Sequence, residues 1–365
     1  MKEKNNDLLF NDVTRVSSKA QLLSQLREKQ GGLISGSVLA KELGVSRVAI
    51  WKTVQSLVSA GYSIETKESG YLLKPENEKD FLYPWEFENI INDQNELQFY
   101  HYLKTDSTMN RARDLALRTM ENASALQQKQ RAVVCADKQS AGRGRYGRTW
   151  ISRQGGLFFS ILEKPKLTIS DYTLLSLVIQ IAIVKSISAI CGKKAFLRWP
   201  NDIYINNRKI AGLTTEVLGD GDLISWFIGG IGININNKAP TLKAISCSEI
   251  LGKQISRKDV LCKILQEIEN INKKYKSNAA YFQGNSNLAK EWNSLSDCIG
   301  AKTAVFEPES KDDDFLEKQG KILARGIFKG IDPIGRCIIK TEDANSVCAE
   351  ELYFNHGSVS LAFLN

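Results

Sequence analysis

The chain has 365 residues, of which 42% are apolar and 25% are charged. This composition is typical of globular proteins and excludes a disordered or fibrous chain, and the length allows two or three domains. The 49 basic and 41 acidic residues leave a net charge of +8, which permits a phosphate-rich partner without requiring one.

The cysteine and histidine content disfavours a zinc site and a disulfide framework. The seven cysteines are scattered without a Cys-x-x-Cys pair, and there are only two histidines, so a reducing, cytoplasmic location is expected. The first ten residues, MKEKNNDLLF, are interrupted by acids and do not form a signal-peptide pattern. Residues 174–190 are apolar but include Gln180 and Lys185, which favours a buried helix over a membrane span.

After an N-terminal extension of residues 1–15, residues 16–74 show the element order of a winged helix-turn-helix. Three helix-like runs end near residues 30, 43 and 60, each just before a glycine. Ser17 or Ser18 can cap the first and Ser46 the third, and the second begins at about Ser37. The next segment, YSIETKESGYLL, has two strand-like runs around a polar turn and predicts a hairpin. Three helices followed by a hairpin are typical of a winged helix.

The third helix is the candidate recognition helix. Its predicted core face consists of Ile50, Val54, Leu57 and Val58. Trp51 lies at the border of that face, so part of its ring is expected in the core. The candidate DNA contacts, which suit the major groove, are Ser46, Arg47, Lys52 and Gln55. The alternative is a winged helix that binds a protein partner.

The remaining sequence predicts an α+β fold with a smaller all-β domain after it. Residues 75–94 are charged and contain two prolines, which indicates a linker followed by a short helix. Residues 95–293 mix strand-like and helical segments, and short turns such as INNRKI predict a largely antiparallel or mixed sheet with helices against it. Residues 294–365 contain short strands such as TAVFE and CIIK, which predict a small β-barrel.

Residues 141–150, AGRGRYGRTW, form what we call the arginine loop. Its glycines allow close backbone approach to a ligand, and the forked guanidinium groups of Arg143, Arg145 and Arg148 suit phosphate or carboxylate. The spacing is not that of a Gly-x-x-x-x-Gly-Lys-Ser/Thr phosphate loop. Taken alone, the segment also fits a basic surface loop.

Two further segments carry candidate polar groups. RWPNDIYINNRKIAG (198–212) places Asn201 and Asp202 after a strand and Lys209 just past a tight turn. The alternatives are a purely structural turn and an ordinary strand with one solvated lysine. GGIGINI (229–235) ends a glycine-rich strand where a nucleotide could lie close to the backbone.

Together, five segments resemble the catalytic domain of biotin–protein ligases in order and spacing: DSTMN (106–110), QSAGRGRYGRTW (139–150), RWPNDI (198–203), RKIAG (208–212) and GIGINI (230–235). Residues 35–73 resemble the N-terminal domain of members that double as biotin operon repressors. Lipoate ligases share the fold but lack the Gly-Arg-Gly-Arg and Trp-Pro-Asn-Asp signatures. The resemblance implies a class II synthetase-like ligase core and an SH3-like C-terminal barrel.

The resemblance also implies a two-step reaction. Biotin and ATP with Mg²⁺ form biotinyl-5′-AMP, and the acyl group then passes to a lysine of a biotin carboxyl carrier protein domain. By analogy Lys209 lies between the biotin carboxylate and the α-phosphate, where a cation neutralises developing charge. Arg143 and Arg145 would clamp both groups and close the loop over the adenylate, which excludes water.

Further positions take their roles from the same resemblance. Those expected to hydrogen-bond the biotin ureido ring are Ser107, Thr108 and Gln139. Those expected to let backbone pack on the biotin bicycle are Gly142 and Gly212. Asn201 and Asn234 would border the nucleotide, and Asp202 and Trp150 would support the site. The adenylate-bound protein is expected to form a homodimer that binds double-stranded operator DNA.

Several residues depart from the commonest family pattern. Met109 follows Ser-Thr where asparagine is frequent, Arg198 replaces lysine before Trp-Pro-Asn-Asp, and Tyr146 and Thr149 occupy variable loop positions. The stretch NKAPTLKAISCSEIL lacks the tryptophan that some repressor-type members place near adenine. Two rival readings remain at this stage: a biotin-sensing transcription factor without ligase activity, and a ligase whose winged helix no longer binds DNA.

Overall fold

A computed structural model describes residues 17–74, 80–88, 97–121, 131–165, 167–169, 172–276, 286–307, 321–341, 350–355 and 358–363. The chain divides into two compact units, residues 1–101 and 102–365, with the division inside strand β3 (Leu97–Tyr102). The predicted N-terminal extension lies outside the described residues.

The first unit contains the predicted winged helix. Its elements are α1 (Ser18–Glu28), α2 (Gly36–Glu42), α3 (Arg47–Ser59), β1 (Ile64–Lys67) and β2 (Gly70–Leu73). Each helix begins after a serine, Ser17, Ser35 or Ser46, whose hydroxyl accepts a hydrogen bond from the main-chain N–H three residues on. β1 and β2 pair antiparallel as the wing. The order and approximate bounds agree with the sequence prediction.

The core face of α3 is narrower than predicted. Ile50, Val54 and Leu57 are buried, but Val58 is 40% exposed and Trp51 is 51% exposed. At 3.6 residues per turn these two side chains lie roughly 80–100° around the helix from Ile50, at the edge of the buried stripe. The prediction that Val58 packs inward is therefore wrong, whereas the half-exposed Trp51 lies at the border of the buried face, as predicted.

Residues 80–88, predicted as part of a linker with a short helix, pack on the winged helix through a single 3-10 turn, Pro84–Glu86. Tyr83 and Trp85 join the hydrophobic core of this unit, with their ring centroids 4.6 Å apart. The buried Glu86 carboxylate accepts hydrogen bonds from Tyr62 Oη and, at 2.8 Å, from Arg27 Nη2. Burial, together with Glu86, raises the pKa of the Tyr62 hydroxyl. A charged stretch of sequence therefore forms part of a folded domain.

The second unit is built on an antiparallel sheet, as predicted. Neighbouring strands run in the order β4-β5-β9-β8-β7-β6, and each of these pairs is antiparallel. The strands are β4 (Arg131–Ala136), β5 (Leu157–Glu163), β6 (Phe196–Arg198), β7 (Asp202–Ile205), β8 (Arg208–Asp220) and β9 (Leu223–Ile233).

Helices pack against this sheet and against each other. They are α4 (Thr108–Glu121), α5 (Tyr172–Cys191), α6 (Cys247–Leu251), α7 (Arg257–Lys276) and α8 (Ser286–Ser294). α4 lies on β4, β5 and β9, and α5 packs against α7 and α8. α5 is the one described helix long and apolar enough to cross a membrane, and 78% of its apolar window is buried inside the protein. The sequence prediction of a buried helix there agrees with this packing.

The C-terminal part of this unit is an open antiparallel sheet in the order β13-β12-β11-β10-β14. Its strands are β10 (Lys302–Phe306), β11 (Ile322–Ile331), β12 (Cys337–Thr341), β13 (Glu351–Phe354) and β14 (Ser360–Phe363). The predicted barrel is not confirmed, because closure requires the two edge strands, β13 and β14, to pair, and the described residues show no such pairing. The α+β class of the ligase core is confirmed.

Candidate functional site

The arginine loop connects β4 to β5 and is held by its own main chain. The N–H of Gly144 donates to the carbonyl of Arg148 at 2.7 Å, and the N–H of Trp150 donates to the carbonyl of Gly142 at 2.9 Å. A Cβ at Gly142 would lie 2.4 Å from the Trp150 carbonyl oxygen. Gly142 is therefore required by the fold of the loop itself, besides the predicted approach to a ligand.

The two candidate arginines of this loop have different surroundings. Arg143 Nη1 donates to Asn110 Oδ1 at 3.0 Å and lies 3.9 Å from Glu216 Oε2 on β8. Arg145 Nη1 donates to Asn201 Oδ1 at 3.4 Å. Burial lowers the pKa of Arg145 below its usual value, but a guanidinium remains charged at neutral pH. Each guanidinium is thus held by an asparagine side chain, and Arg143 in addition lies beside the Glu216 carboxylate.

Lys209 lies near the start of β8, where it pairs with Tyr204 beside a bulge in the pairing with β7. Its Nζ is 2.7 Å from Asp202 Oδ1 and 5.3 Å from the centroid of the Trp150 ring. Asp202 follows Asn201, the partner of Arg145. The structure therefore brings the candidate lysine, Asp202 and the arginine loop together.

Trp150 occupies a slot formed by two glycines of the sheet. A Cβ at Gly212 would lie 3.1 Å from the indole ring, and a Cβ at Gly232 would lie 2.4 Å from its Nε1. The indole Nε1 is buried and has no hydrogen-bond partner among the described residues. A buried donor without a partner is costly, so this N–H suits a ligand that brings an acceptor. Gly212 accommodates Trp150, a role that the sequence prediction did not include.

The residues predicted to hold a ureido ring form one polar cluster. Gln139 Oε1 accepts from the N–H of Thr108 at 2.7 Å, and its Nε2 donates to Ser152 Oγ at 2.8 Å. The Thr108 hydroxyl accepts from Ser160 Oγ at 2.9 Å. Ser107 is 1% exposed and its Oγ accepts from the N–H of Met109. These hydroxyls and amides are preorganised by each other.

Met109, which departs from the common pattern, fills a gap left by a glycine. It is 5% exposed, and a Cβ at Gly230 would lie 2.5 Å from its sulfur atom. Arg198, the other notable departure, forms a two-point contact with Asp297, at 3.0 Å through Nε and 2.8 Å through Nη2. Arg198 is thus occupied by a structural ion pair.

Asn201 and Asn234 are both buried and bonded within the protein. Asn201 Nδ2 donates to the carbonyl of Leu213. Asn234 is 1% exposed, and its Oδ1 accepts from Asn237 Nδ2 at 2.9 Å. Their side chains therefore shape the strand ends, and contact with a nucleotide stays a prediction.

Sequence reasoning missed two residues that hold Arg143. No role was predicted for Asn110 of the DSTMN segment. Its position one helical turn after Asp106 could have indicated that the two side chains meet, as they do. Glu216 gave no signal, because a single glutamate in the predicted strand IAGLTTEVL reads as a solvated charge. It lies 3.3 Å from Arg113 as well as near Arg143.

In the first unit, the candidate DNA face lies on α3. Arg47, Lys52 and Gln55 are exposed. Ser46 is exposed too, but its hydroxyl accepts a hydrogen bond from the N–H of Ala49 as the helix cap. Val48, at 62% exposure, lies on the same outer surface. The face is thus mixed, basic and apolar, which suits phosphate and base contacts together.

Comparison with known proteins identifies both units. Residues 105–236 match the Biotin/lipoate A/B protein ligase family, and residues 19–72 match the HTH domain family. The bifunctional ligase/repressor BirA of Bacillus spizizenii is 31% identical over 263 residues, which are 69% of this chain and 77% of that protein. The protein of the same name from Bacillus subtilis is 32% identical, with the same coverage.

A solved structure supports the same assignment. The biotin protein ligase from Aquifex aeolicus in complex with biotin and ATP superposes with a TM-score of 0.55 at 27% identity, and covers 74% of this chain and 99% of that one. In this chain the match to the HTH domain, residues 19–72, precedes the match to the ligase family, residues 105–236. This chain belongs to the biotin/lipoate A/B protein ligase family, among its bifunctional ligase/repressor members.

Proposed function

We propose that this chain is an ATP-dependent biotin–protein ligase that also acts as a biotin-responsive DNA-binding repressor. Residues 16–74 would bind DNA, residues 95–293 would carry the ligase, and residues 294–365 would form an SH3-like domain. The main observation in favour of a ligase is that Lys209 contacts Asp202 and lies near the Trp150 ring, next to the Arg145–Asn201 contact.

The first step joins two anions, and this explains the cations. The biotin carboxylate attacks the α-phosphate of ATP, an oxygen–phosphorus bond forms, and pyrophosphate leaves. Lys209 is the candidate to stabilise the charge that accumulates between the reacting groups, with Arg143 and Arg145 as further donors. Asp202, at 2.7 Å from the lysine, would hold the ammonium in place.

In the second step the amine of a carrier lysine attacks the acyl carbonyl of biotinyl-5′-AMP, and AMP leaves. The amide that forms links biotin to a biotin carboxyl carrier protein domain. Arg143 and Arg145 would keep the adenylate in place until that amine arrives, since a mixed anhydride reacts with water and with any lysine.

Biotin recognition would use neutral groups. Ser107, Thr108 and Gln139 offer hydroxyls and an amide to the ureido ring. Gly142 and Gly212 would act there by letting Trp150 pack closely beside the site. The buried N–H of Trp150 is a further donor. Asn201 and Asn234 would border the nucleotide.

We propose that Mg²⁺ enters with ATP, bound chiefly by phosphate oxygens as is usual for this ion. Among the described residues, no group of three or more His, Cys, Asp or Glu could hold a metal ion. Asp202 and Glu216 form ion pairs with Lys209 and with Arg113 and Arg143. We also propose that the protein is located in the cytoplasm.

Repression would require two copies of the chain. A single winged helix makes few base contacts, and such proteins usually present two recognition helices to a palindromic site. We propose that the adenylate orders loops of the ligase core and so lowers the entropy cost of homodimer formation. The dimer would bind double-stranded operator DNA, and the carrier protein would compete by consuming the adenylate.

Sedimentation with and without adenylate, paired with operator titrations at two salt concentrations, tests this part. Binding should weaken steeply with salt. Lys52→Ala should lower the slope of log K against log salt by about two for the dimer, about one for each copy of the chain. If neither dimerisation nor DNA affinity changes when adenylate is added, the coupling is contradicted. The chain would then be a ligase with an uncoupled winged helix.

Biotin-dependent exchange of pyrophosphate into ATP tests the ligase step without any carrier. Exchange that requires biotin is the expected result. A chain that binds biotin and DNA but supports no exchange would instead be a biotin-sensing transcription factor. The cluster around Lys209 and Asp202 favours the ligase, because a sensor needs affinity and no transition-state cation.

A further inference from the structure

We propose that the hydroxyl of Tyr146 is a positioning group that ties the arginine loop to the C-terminal sheet, and that this tie retains the reactive adenylate. The inference rests on the proposed ligase function. It assigns a role to a loop position that the sequence pattern left variable and to a C-terminal segment with no assigned role.

The geometry gives this hydroxyl two simultaneous contacts. Arg145 Nη2 donates to Tyr146 Oη at 2.6 Å, and Tyr146 Oη donates to the main-chain carbonyl of Val359 at 3.1 Å. The hydroxyl thus accepts a hydrogen bond from the candidate catalytic arginine and donates one to the carbonyl of Val359, the residue before β14. The guanidinium carbon of Arg145 also lies 4.6 Å from the centre of the Tyr146 ring.

The backbone of the loop supports the same interpretation. Tyr146 has φ 55° and ψ 33°, a left-handed conformation that residues other than glycine rarely adopt. Such a conformation persists only where surrounding contacts over-determine it. The Tyr146 hydroxyl and ring make such contacts with Val359 and Arg145, and Gly147, at φ 75°, continues the turn.

The C-terminal sheet is itself docked on the ligase core, so it can serve as an anchor. The β11–β12 turn accepts a hydrogen bond from Thr173 Oγ1, at the start of α5, at the carbonyl of Ile334, and another from Trp199 Nε1 at the carbonyl of Gly335. Asn293 on α8 exchanges two hydrogen bonds with Ile331. The tie at Tyr146 therefore connects the arginine loop to a sheet that is also bonded to the ligase core at residues 331–335.

The contact between Tyr146 and Val359 also restricts the guanidinium of Arg145. Arg145 bonds to Asn201 with one nitrogen and to Tyr146 with another, so its guanidinium is fixed from the core on one side and from the C-terminal segment on the other. Without the hydroxyl, the loop would keep its sequence and its cations but would open more often. Opening of the loop releases the activated adenylate. Loss of the hydroxyl should therefore increase escape and stray labelling more than it slows transfer to the carrier.

The test uses Tyr146→Phe in the full chain, which removes one oxygen and keeps the ring. Adenylate made in situ is followed for its rate of escape, and for labelling of lysines on bulk protein in the absence of carrier domain. We expect escape and stray labelling to rise about tenfold, the factor for loss of one hydrogen bond to a charged group in a half-buried site. Transfer at saturating carrier should fall less than threefold.

A second readout is independent of ligase activity. Amide hydrogen exchange of the unliganded protein should become faster at Gly144 and Arg148, whose N–H groups close the loop. The matched control is Thr173→Val, which removes another hydroxyl that donates to a carbonyl of the C-terminal sheet, at 2.9 Å, away from the loop. The control should leave escape and loop exchange unchanged.

The outcomes separate the inference from the proposed function. If the unaltered protein makes no adenylate but the amide exchange of the Phe variant rises, the tie is real and the ligase proposal fails. If the unaltered protein is a ligase and the Phe variant matches it in escape and in exchange, the tie is refuted. Equal effects of Tyr146→Phe and Thr173→Val would also overturn it, since they would mean general loosening of the C-terminal sheet.

Discussion

Replacement of Lys209 by alanine should separate catalysis from folding. The lysine Nζ lies 2.7 Å from Asp202 Oδ1, and the two side chains are 31% and 26% exposed. An ion pair with this much water contact contributes about 1 kcal/mol or less to stability, which corresponds to roughly 2–4 °C in Tm for a unit of this size. Loss of a transition-state cation from a preorganised site costs about 3 kcal/mol, or roughly 150-fold in rate.

Biotin-dependent pyrophosphate exchange measures this loss, and thermal unfolding measures the stability. The matched control is Arg208→Ala, which removes the neighbouring cation, 3.9 Å from Glu249, and should leave exchange within threefold of the unaltered protein. Exchange by Lys209→Ala within threefold of the unaltered protein would refute the role of Lys209. A fall in Tm of more than about 10 °C would mean that the lysine acts mainly on folding.

Three other changes have defined outcomes. Arg145→Gly should let adenylate escape and label proteins without a carrier domain, as blotting for biotin would detect; labelling confined to the carrier would contradict this. Glu86→Ala should destabilise the first unit by about 2 kcal/mol, because it strands the buried hydroxyl of Tyr62, whereas the exposed Glu28→Ala should change stability by less than about 0.5 kcal/mol; equal unfolding curves would disprove the buried role. Burial would raise the pKa of Asp106, but hydrogen bonds from Asn110 and the Ser107 N–H outweigh it and lower the pKa to about 2. Its stabilisation is therefore present above about pH 4 and lost as the pH falls towards 2, so the Tm deficit of Asp106→Ala should shrink over that range, and a constant deficit would contradict the assignment.

Local signals predicted the winged helix well, because caps and periodicity are properties of neighbouring residues. Helices α1 and α3 begin after Ser17 and Ser46 as expected, and α2 begins within one residue of its predicted start. The docking of residues 80–88 could not be predicted in this way. The partners of Glu86, Arg27 and Tyr62, lie 59 and 24 residues away, and a glutamate in a charged run normally indicates solvent exposure.

The same distinction holds in the site. The arginine loop and Lys209 could be recognised from the sequence, because each lies in a short continuous motif. The contact of Tyr146 with Val359 spans 213 residues and has no local signature. Gly212 and Gly232 were visible as glycines, but that their missing side chains make room for Trp150 follows only from the packing. Closure of the predicted C-terminal barrel is not confirmed among the described residues, and the number of strands in a sequence does not determine whether edge strands meet.

Transfer of biotin to a carrier lysine tests the central claim most directly. The purified full chain would be incubated with biotin, ATP, Mg²⁺ and a biotin carboxyl carrier protein domain, and the carrier mass followed over time. The account predicts a single added biotin on one carrier lysine, dependent on ATP and largely abolished in the Lys209→Ala variant. An unmodified carrier, with biotin bound but not transferred, would contradict the ligase assignment.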